Sequence, residues 1–210
     1  RAHQSDTIAS RYNHQPICDR YTTSTSSRNA LITPVTRSLL VANIVIFLLL
    51  VFTSLGRTVY GDLALQPLPH TQIWQPVTYA FLHGGLLHLS FNMFGLWMFG
   101  RVVERQWGPR RYLIYYFVCV VGAALVNLFA SAAVGHTQFT VGASGGVLGV
   151  VLAFGMMFPD ARMVVFPVPY PIKAKWAIIG FILISVALAI TDTAPNIAHF
   201  AHLGGMLFGW

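Results

Sequence analysis

The chain has 210 residues, enough for one substantial domain, and its 55% hydrophobic and 9% charged residues stand far from the roughly one-quarter charge of soluble globular proteins. That composition excludes intrinsic disorder, and two cysteines, Cys18 in a polar tail and Cys119 in an apolar block, exclude a disulfide scaffold. The formal net charge of +7 comes from basic residues dispersed between apolar blocks, which excludes nucleic acid as a partner and makes their placement around the blocks the informative feature.

Residues 1–34 are polar, rich in Ser and Thr, and begin with Arg; they read as a tail of little fixed structure on a fragment or processed chain. Val35–Leu55 starts too far in for a cleaved signal peptide and is long enough to cross about 30 Å of hydrocarbon, so it is expected to be an anchor. Gly56–Pro76 contains Gly61, Pro67, Pro69 and Trp74, which predicts an external loop resting at the interface. Further spans are expected at Val77–Gly100 (starting as late as His88), Tyr112–Ala133, Ser144–Phe158, Lys175–Ala189 and Ile197–Trp210, the last cut short by the chain end. Residues 112–159 run for 48 positions without Asp, Glu, Lys or Arg. The expected fold is therefore all-α: a polytopic bundle of six transmembrane helices over residues 35–210, with the lipid bilayer as its solvent.

Short basic loops are retained on the cytoplasmic side. With the N-terminus inside, that side receives the five arginines up to Arg37, then Arg101, Arg105, Arg110 and Arg111, then Arg162, Lys173 and Lys175, leaving Arg57 outside. An arginine-poor outside and a compact plan predict a bacterial inner membrane, with the polar groups of the even-numbered segments toward the periplasmic side.

Ionisable or strongly polar groups within apolar helices need partners and are functional candidates. His83, His88 and Asn92 lie in YAFLHGGLLHLSFNMFG, Ser144 in TVGASGGVLGV, and His199 and His202 in NIAHFAHLGGMLFGW. In the expected topology all fall in the outer portions of alternate segments, where one pocket can gather them. His88 and Asn92, at i and i+4, share a helical face; they suit donation to one oxygen, and equally the gluing of helices by hydrogen bonds. Ser144 sits near a helix start, where it serves as a cap or as a nucleophile beside free backbone N–H groups. Gly145, Gly149, Gly205 and Gly209 form GxxxG spacings on the fourth and sixth segments, which allow the close approach that brings His202 to Ser144. A serine with a histidine is a minimal activated nucleophile, and no transmembrane Asp or Glu extends it to a triad. The fourth segment is shorter than the bilayer, so Ser144 is expected in a depression that water reaches, with GHTQFT lining its mouth. The histidines lack a metal-binding spacing such as HExxH, so no metal and no other cofactor is expected.

Together, VGASGG, AHLGG with its downstream glycine, HGGLLHLSFN and ERQWG at Glu104–Gly108 resemble the rhomboid family of intramembrane serine proteases. The resemblance covers about Trp74 to Trp210, and Val35–Leu55 resembles the family's first helix. It implies Ser144 as nucleophile, His202 as general base, and His88 and Asn92 as oxyanion-stabilising side chains. It further implies His83 as a support of the site or its water, Gly142 and Ala143 as shapers of the loop before the nucleophile, and Gly145, Gly205 and Gly209 as helix-packing positions. The implied partners are single-span or other membrane-protein substrates. Three positions depart from the pattern. Leu148 stands where a tyrosine commonly stacks on the histidine. Trp74–Gln75 replaces a Trp-Arg pair, which is expected to loosen the first external loop. His199 is an additional histidine, expected at the rim or the interface. The substituted Leu148 and Gln75 motivate a competing reading as an inactive rhomboid-like client-binding or quality-control protein; a transporter of broken helices lacks the inverted repeat it would need.

Overall fold

Pro34, whose fixed φ suits the first turn, opens helix α1 (Pro34–Phe52) in the computed structural model, which describes residues 32–135, 137–164, 170–191 and 199–210. The polar tail up to residue 31 and the first two residues of the expected sixth segment lie outside these. The orphan N–H groups of α1 are satisfied from 70 residues away. The buried Glu104 carboxylate accepts from Val35 N at 2.9 Å, from Thr36 N and Oγ1 at 2.8 Å each, and from the Thr33 hydroxyl. Thr33 and Pro34, read as part of the tail, are thus fixed structure.

The Gly56–Pro76 connection is not wholly a loop: helix α2 (Leu55–Leu63) occupies its first half, ahead of every proline in the stretch. The remainder is tied down by Gln75, which is buried. Its Oε1 accepts from Gln66 N at 3.1 Å and Gln72 N at 3.0 Å, and its Nε2 donates to Asp62 O at 3.1 Å. Trp74 Nε1 donates to the same carbonyl. The expectation that a neutral residue loosens this loop is therefore corrected: a glutamine accepts and donates at once, which an arginine cannot. Gln75 also begins helix α3 (Gln75–Thr78), which runs into a single 3₁₀ turn, Tyr79–Phe81.

The second expected span starts inside its expected range and runs past its expected end at Gly100. Helix α4 (Leu86–Gly95) starts after Gly84–Gly85 and continues through a π turn, Leu96–Gly100, into α5 (Arg101–Trp107), a helical stretch of 22 residues. Arg101 and Arg105 thus belong to a helix, and the turn that follows is Gly108 alone, at φ 80°. Pro109 at once starts α6 (Pro109–Val134), which ends in a left-handed Gly135. Helix α7 (Ser144–Met157) leads to a hairpin of β1 (Arg162–Met163) and β2 (Ile172–Lys173), antiparallel with Arg162 opposite Lys173. Helices α8 (Ala174–Thr191) and α9 (His199–Gly209) follow.

The architecture is an all-α, membrane-type bundle of several apolar helices. Against six expected spans, three of the described helices are long and apolar enough to cross a membrane: Pro34–Phe52, Leu86–Trp107 and Pro109–Val134. Ser144–Met157 and Ala174–Ala189 are shorter apolar helices. Leu96, Val103, Tyr112, Tyr116, Val120 and Val150 form the buried core, while α1 exposes Val41, Ile44, Val45, Leu48 and Leu49, as a lipid-facing surface would. Glu104 holds the start of α1 to the end of α5, and Leu65 pairs with Thr140 through two backbone bonds at 3.0 and 2.9 Å. The starts of α4, α7 and α9 meet at one end, where Leu87, Ser144 and His199 line the same cavity.

Candidate active site

The site is built where α7 and α9 touch backbone to backbone. A Cβ placed on Gly205 would lie 2.0 Å from the Gly145 carbonyl oxygen, and one on Gly149 would lie 3.0 Å from Gly205 O. A Cβ on Gly209 would be 3.2 Å from Gly149 Cα. No side chain fits these positions without parting the helices, which gives the GxxxG spacing its physical content. From α6, the Tyr115 hydroxyl lies 2.7 Å from Gly149 O and 2.8 Å from Gly209 O, so one phenol spans all three helices.

With the helices this close, His202 Nε2 stands 2.9 Å from Ser144 Oγ across 58 residues of sequence. When that nitrogen carries no proton, the hydroxyl donates to it. Ser144 is the first residue of α7, and its own backbone N–H is among the orphans of the first turn. The His202 ring is flanked by Phe181 of α8, centroids 6.0 Å apart and tilted by 47°, and by His199, 6.2 Å away and edge-on at 88°. Phe181 therefore stands beside the histidine, and nothing in the sequence singled it out. His199, expected at the rim or the interface, is instead 7% exposed and lines the cavity.

That cavity, of about 820 Å³, joins most of the expected site residues: Ser144, His202, His88, Asn92 and His199, with Asn127, Ser131 and Gln138 from the α6–α7 region and Leu87, Phe91, Leu148 and Phe181 from the helices at its side. His88 and Asn92 share the face of α4 that lines it, and one Asn92 Nδ2 hydrogen goes to His88 O at 2.9 Å, leaving the second for another acceptor. His83 does not line the cavity; it is buried behind it, its ring 5.2 Å from that of His88. Gly142 adopts φ 124°, and a Cβ there would meet His88 Cε1 and Nε2 at 2.7 Å, so this glycine makes room for the His88 ring. Its N–H donates to Tyr79 O at 2.9 Å. Asn127, which the sequence reading missed, donates through Nδ2 to Thr140 Oγ1 at 3.0 Å and so fixes the wall before Ser144. Among the described residues, no group of three or more His, Cys, Asp or Glu is gathered for a metal ion.

The model of the Rhomboid domain family matches residues 70–210. The chain belongs to the rhomboid family. Relatives include the human presenilin-associated rhomboid-like protein, mitochondrial, 28% identical over 178 residues, covering 81% of this chain and 45% of that protein. RHOMBOID-like protein 6, mitochondrial, of Arabidopsis thaliana is 33% identical over 141 residues, covering 65% and 41% respectively. Rhomboid protein 1, mitochondrial, of Saccharomyces cerevisiae is 32% identical over 140 residues, covering 62% and 39%. This rhomboid thus spans less than half the length of these relatives. They are eukaryotic proteins named as mitochondrial, which overturns the expected bacterial inner membrane. Charge asymmetry reports which loops of a polytopic chain share a side and carries no information on which membrane holds it.

Proposed function

We propose that this rhomboid is an intramembrane serine endopeptidase that crosses the bilayer six times and hydrolyses peptide bonds in or near the transmembrane segments of membrane-protein substrates. The observation that carries the reading is the 2.9 Å contact between Ser144 Oγ and His202 Nε2 on the wall of a cavity of about 820 Å³. At 14 residues α7 is about 21 Å long, against roughly 30 Å of hydrocarbon, so Ser144 lies below the membrane surface. The polar Gln138, Ser131 and Asn127 on the cavity wall give water a path to that depth.

In the proposed reaction a substrate strand enters from the side, past the exposed Leu87 and Phe91, and Ser144 Oγ attacks its carbonyl carbon while His202 Nε2 takes the hydroxyl proton. Negative charge develops on the carbonyl oxygen. The free Asn92 Nδ2 hydrogen, the His88 ring and the Ser144 backbone N–H are the donors aimed at that region. His202 then returns its proton to the leaving amine, the C–N bond breaks, and water deprotonated by His202 hydrolyses the acyl-enzyme.

The test compares cleavage of a single-span reporter by equal folded amounts of the unaltered chain, Ser144→Ala, His202→Ala and Asn92→Ala. Abolition by the first two, and a loss of about 10²–10³ in kcat for the third, are expected. Undiminished cleavage by Ser144→Ala overturns the reading. A chain that clasps the reporter without cutting it, unaffected by Ser144→Ala, identifies a client-binding protein instead.

A further inference from the structure

A second groove lies on the outside of the bundle, away from the cavity, and its lining is wholly apolar. Leu113, Ile114, Phe117, Val118 and Val121 of α6 form its floor, and Phe208 of α9 closes one side. Phe208 reaches this position because Gly122 has no side chain: a Cβ there would lie 2.2 Å from the Phe208 ring. The groove holds about 560 Å³, and Ile114, Val118 and Phe208 remain 56%, 44% and 45% exposed.

The same face of α6 begins with a different chemistry. At 100° per residue, Arg110 lies in line with Ile114, Phe117 and Val121, and Arg111 lies beside that line above Val118. Both arginines are exposed, and among the described residues no salt bridge involves either. From Arg110 to Val121 the helix rises about 16 Å, on the scale of one lipid chain running down from its headgroup. We propose that this groove is a binding site for an anionic phospholipid, one acyl chain lying along α6 against Phe208 and the phosphate resting on Arg110 and Arg111.

Two guanidinium groups and a greasy trough continuous with them match the two parts of that ligand, and arginine's planar fork suits phosphate oxygens. A zwitterionic lipid fits the trough equally but brings its own ammonium to the arginines, so charge complementarity selects the anionic class. The site shares no residue with the proposed peptidase centre and does not depend on it.

The experiment exchanges the full chain through vesicles of equal parts phosphatidylcholine and phosphatidylglycerol with matched chains, and reads retained lipid by native mass spectrometry. The unaltered chain should retain phosphatidylglycerol in preference. Arg110→Gln with Arg111→Gln should cut the preference about thirtyfold, the scale set by two arginines at an anionic lipid. The paired lysine variant should keep most of it, and Val121→Trp, which fills the trough, should lose both lipids. Arg162→Gln, at the exposed hairpin, should leave the lipid preference unchanged. No preference in the unaltered chain overturns the site, as does an equal loss in Arg162→Gln or a preference undiminished by the paired glutamine change. Retention of a second protein chain in place of lipid assigns the groove to a partner helix and overturns it likewise.

Discussion

Gly205→Ala isolates the contact on which the proposed dyad depends. The added methyl would sit 2.0 Å from Gly145 O and 2.6 Å from Gly145 C, both backbone atoms of the residue next to Ser144. Ordinary contact needs about 3.5 Å, so α9 must move away from α7 by roughly 1.5 Å, or the backbone must bend by as much. His202 lies three residues before Gly205, less than one turn away, and its Nε2 starts 2.9 Å from Ser144 Oγ. The same displacement carries that pair beyond hydrogen-bond reach. A misplacement of about 1 Å costs on the order of 10²-fold in rate, and overpacking costs about 1–3 kcal/mol in stability. The assay is kcat/KM on a single-span reporter, with labelling of Ser144 by a fluorophosphonate and thermal unfolding measured on the same preparations. Gly180→Ala on α8, where an added Cβ meets nothing within 4 Å, is the control and should keep full activity. If Gly205→Ala keeps its cleavage and labelling rates, whatever its melting temperature, backbone contact between α7 and α9 does not position the pair and the reasoning fails.

Glu104→Gln should destabilise the fold by about 2–4 kcal/mol, since an amide cannot accept all four bonds that converge on the carboxylate; a change under about 0.5 kcal/mol in denaturant unfolding would refute its role at the start of α1. Gln75→Arg, which restores the charge common in the family, should loosen the loop, because arginine cannot accept from Gln66 N and Gln72 N; faster proteolysis between residues 64 and 74 is the measurement, and slower proteolysis refutes it. Phe181→Ala should lower kcat about tenfold with little change in KM by freeing the His202 ring, whereas an unchanged kcat would leave His199 and the surrounding packing sufficient. Hydrogen bonds from Lys175, and then Lys173, hold the exposed Asp160 carboxyl below its usual range. The folded value being the depressed one, its small contribution is present at neutral pH and fades as the pH falls through that lowered range. Melting profiles of Asp160→Asn should therefore differ from the unaltered chain only at neutral pH and low salt, and a difference confined to acid pH would reverse the sign.

What the sequence made legible were features whose cause is local. GxxxG spacing is a statement about where side chains are missing, and it carried directly into the α7–α9 contact and the meeting of Ser144 with His202. Hydropathy likewise located α1 and α6 to within three residues at each end. It failed at α4, because a π turn at Leu96–Gly100 carries the helix on through Arg101, Glu104 and Arg105, which a charge-based boundary assigns to a loop. The sequence offers Glu104 only as part of ERQWG; its role appears once α1 brings its bare N-terminus to that point, a relation across some 70 residues that no window of sequence contains.

The same distinction explains the reading of the departures from the family pattern. Two of them are losses at single positions, a tyrosine at Leu148 and an arginine at Gln75, and at Gln75 the structure meets the need with different atoms. Phe181, from another helix, stands beside the histidine, and the carboxamide of Gln75 makes three hydrogen bonds to the loop. A substitution in a motif therefore argues for lost function only when the physical requirement behind it is unmet elsewhere. At Gln75 the requirement is one group that both accepts and donates in a buried turn, and the carboxamide meets it. Phe181→Ala is therefore the variant that asks whether a ring beside His202 serves the proposed peptidase, because the loss at Leu148, unlike that at Gln75, is answered by one ring contact and no hydrogen bond.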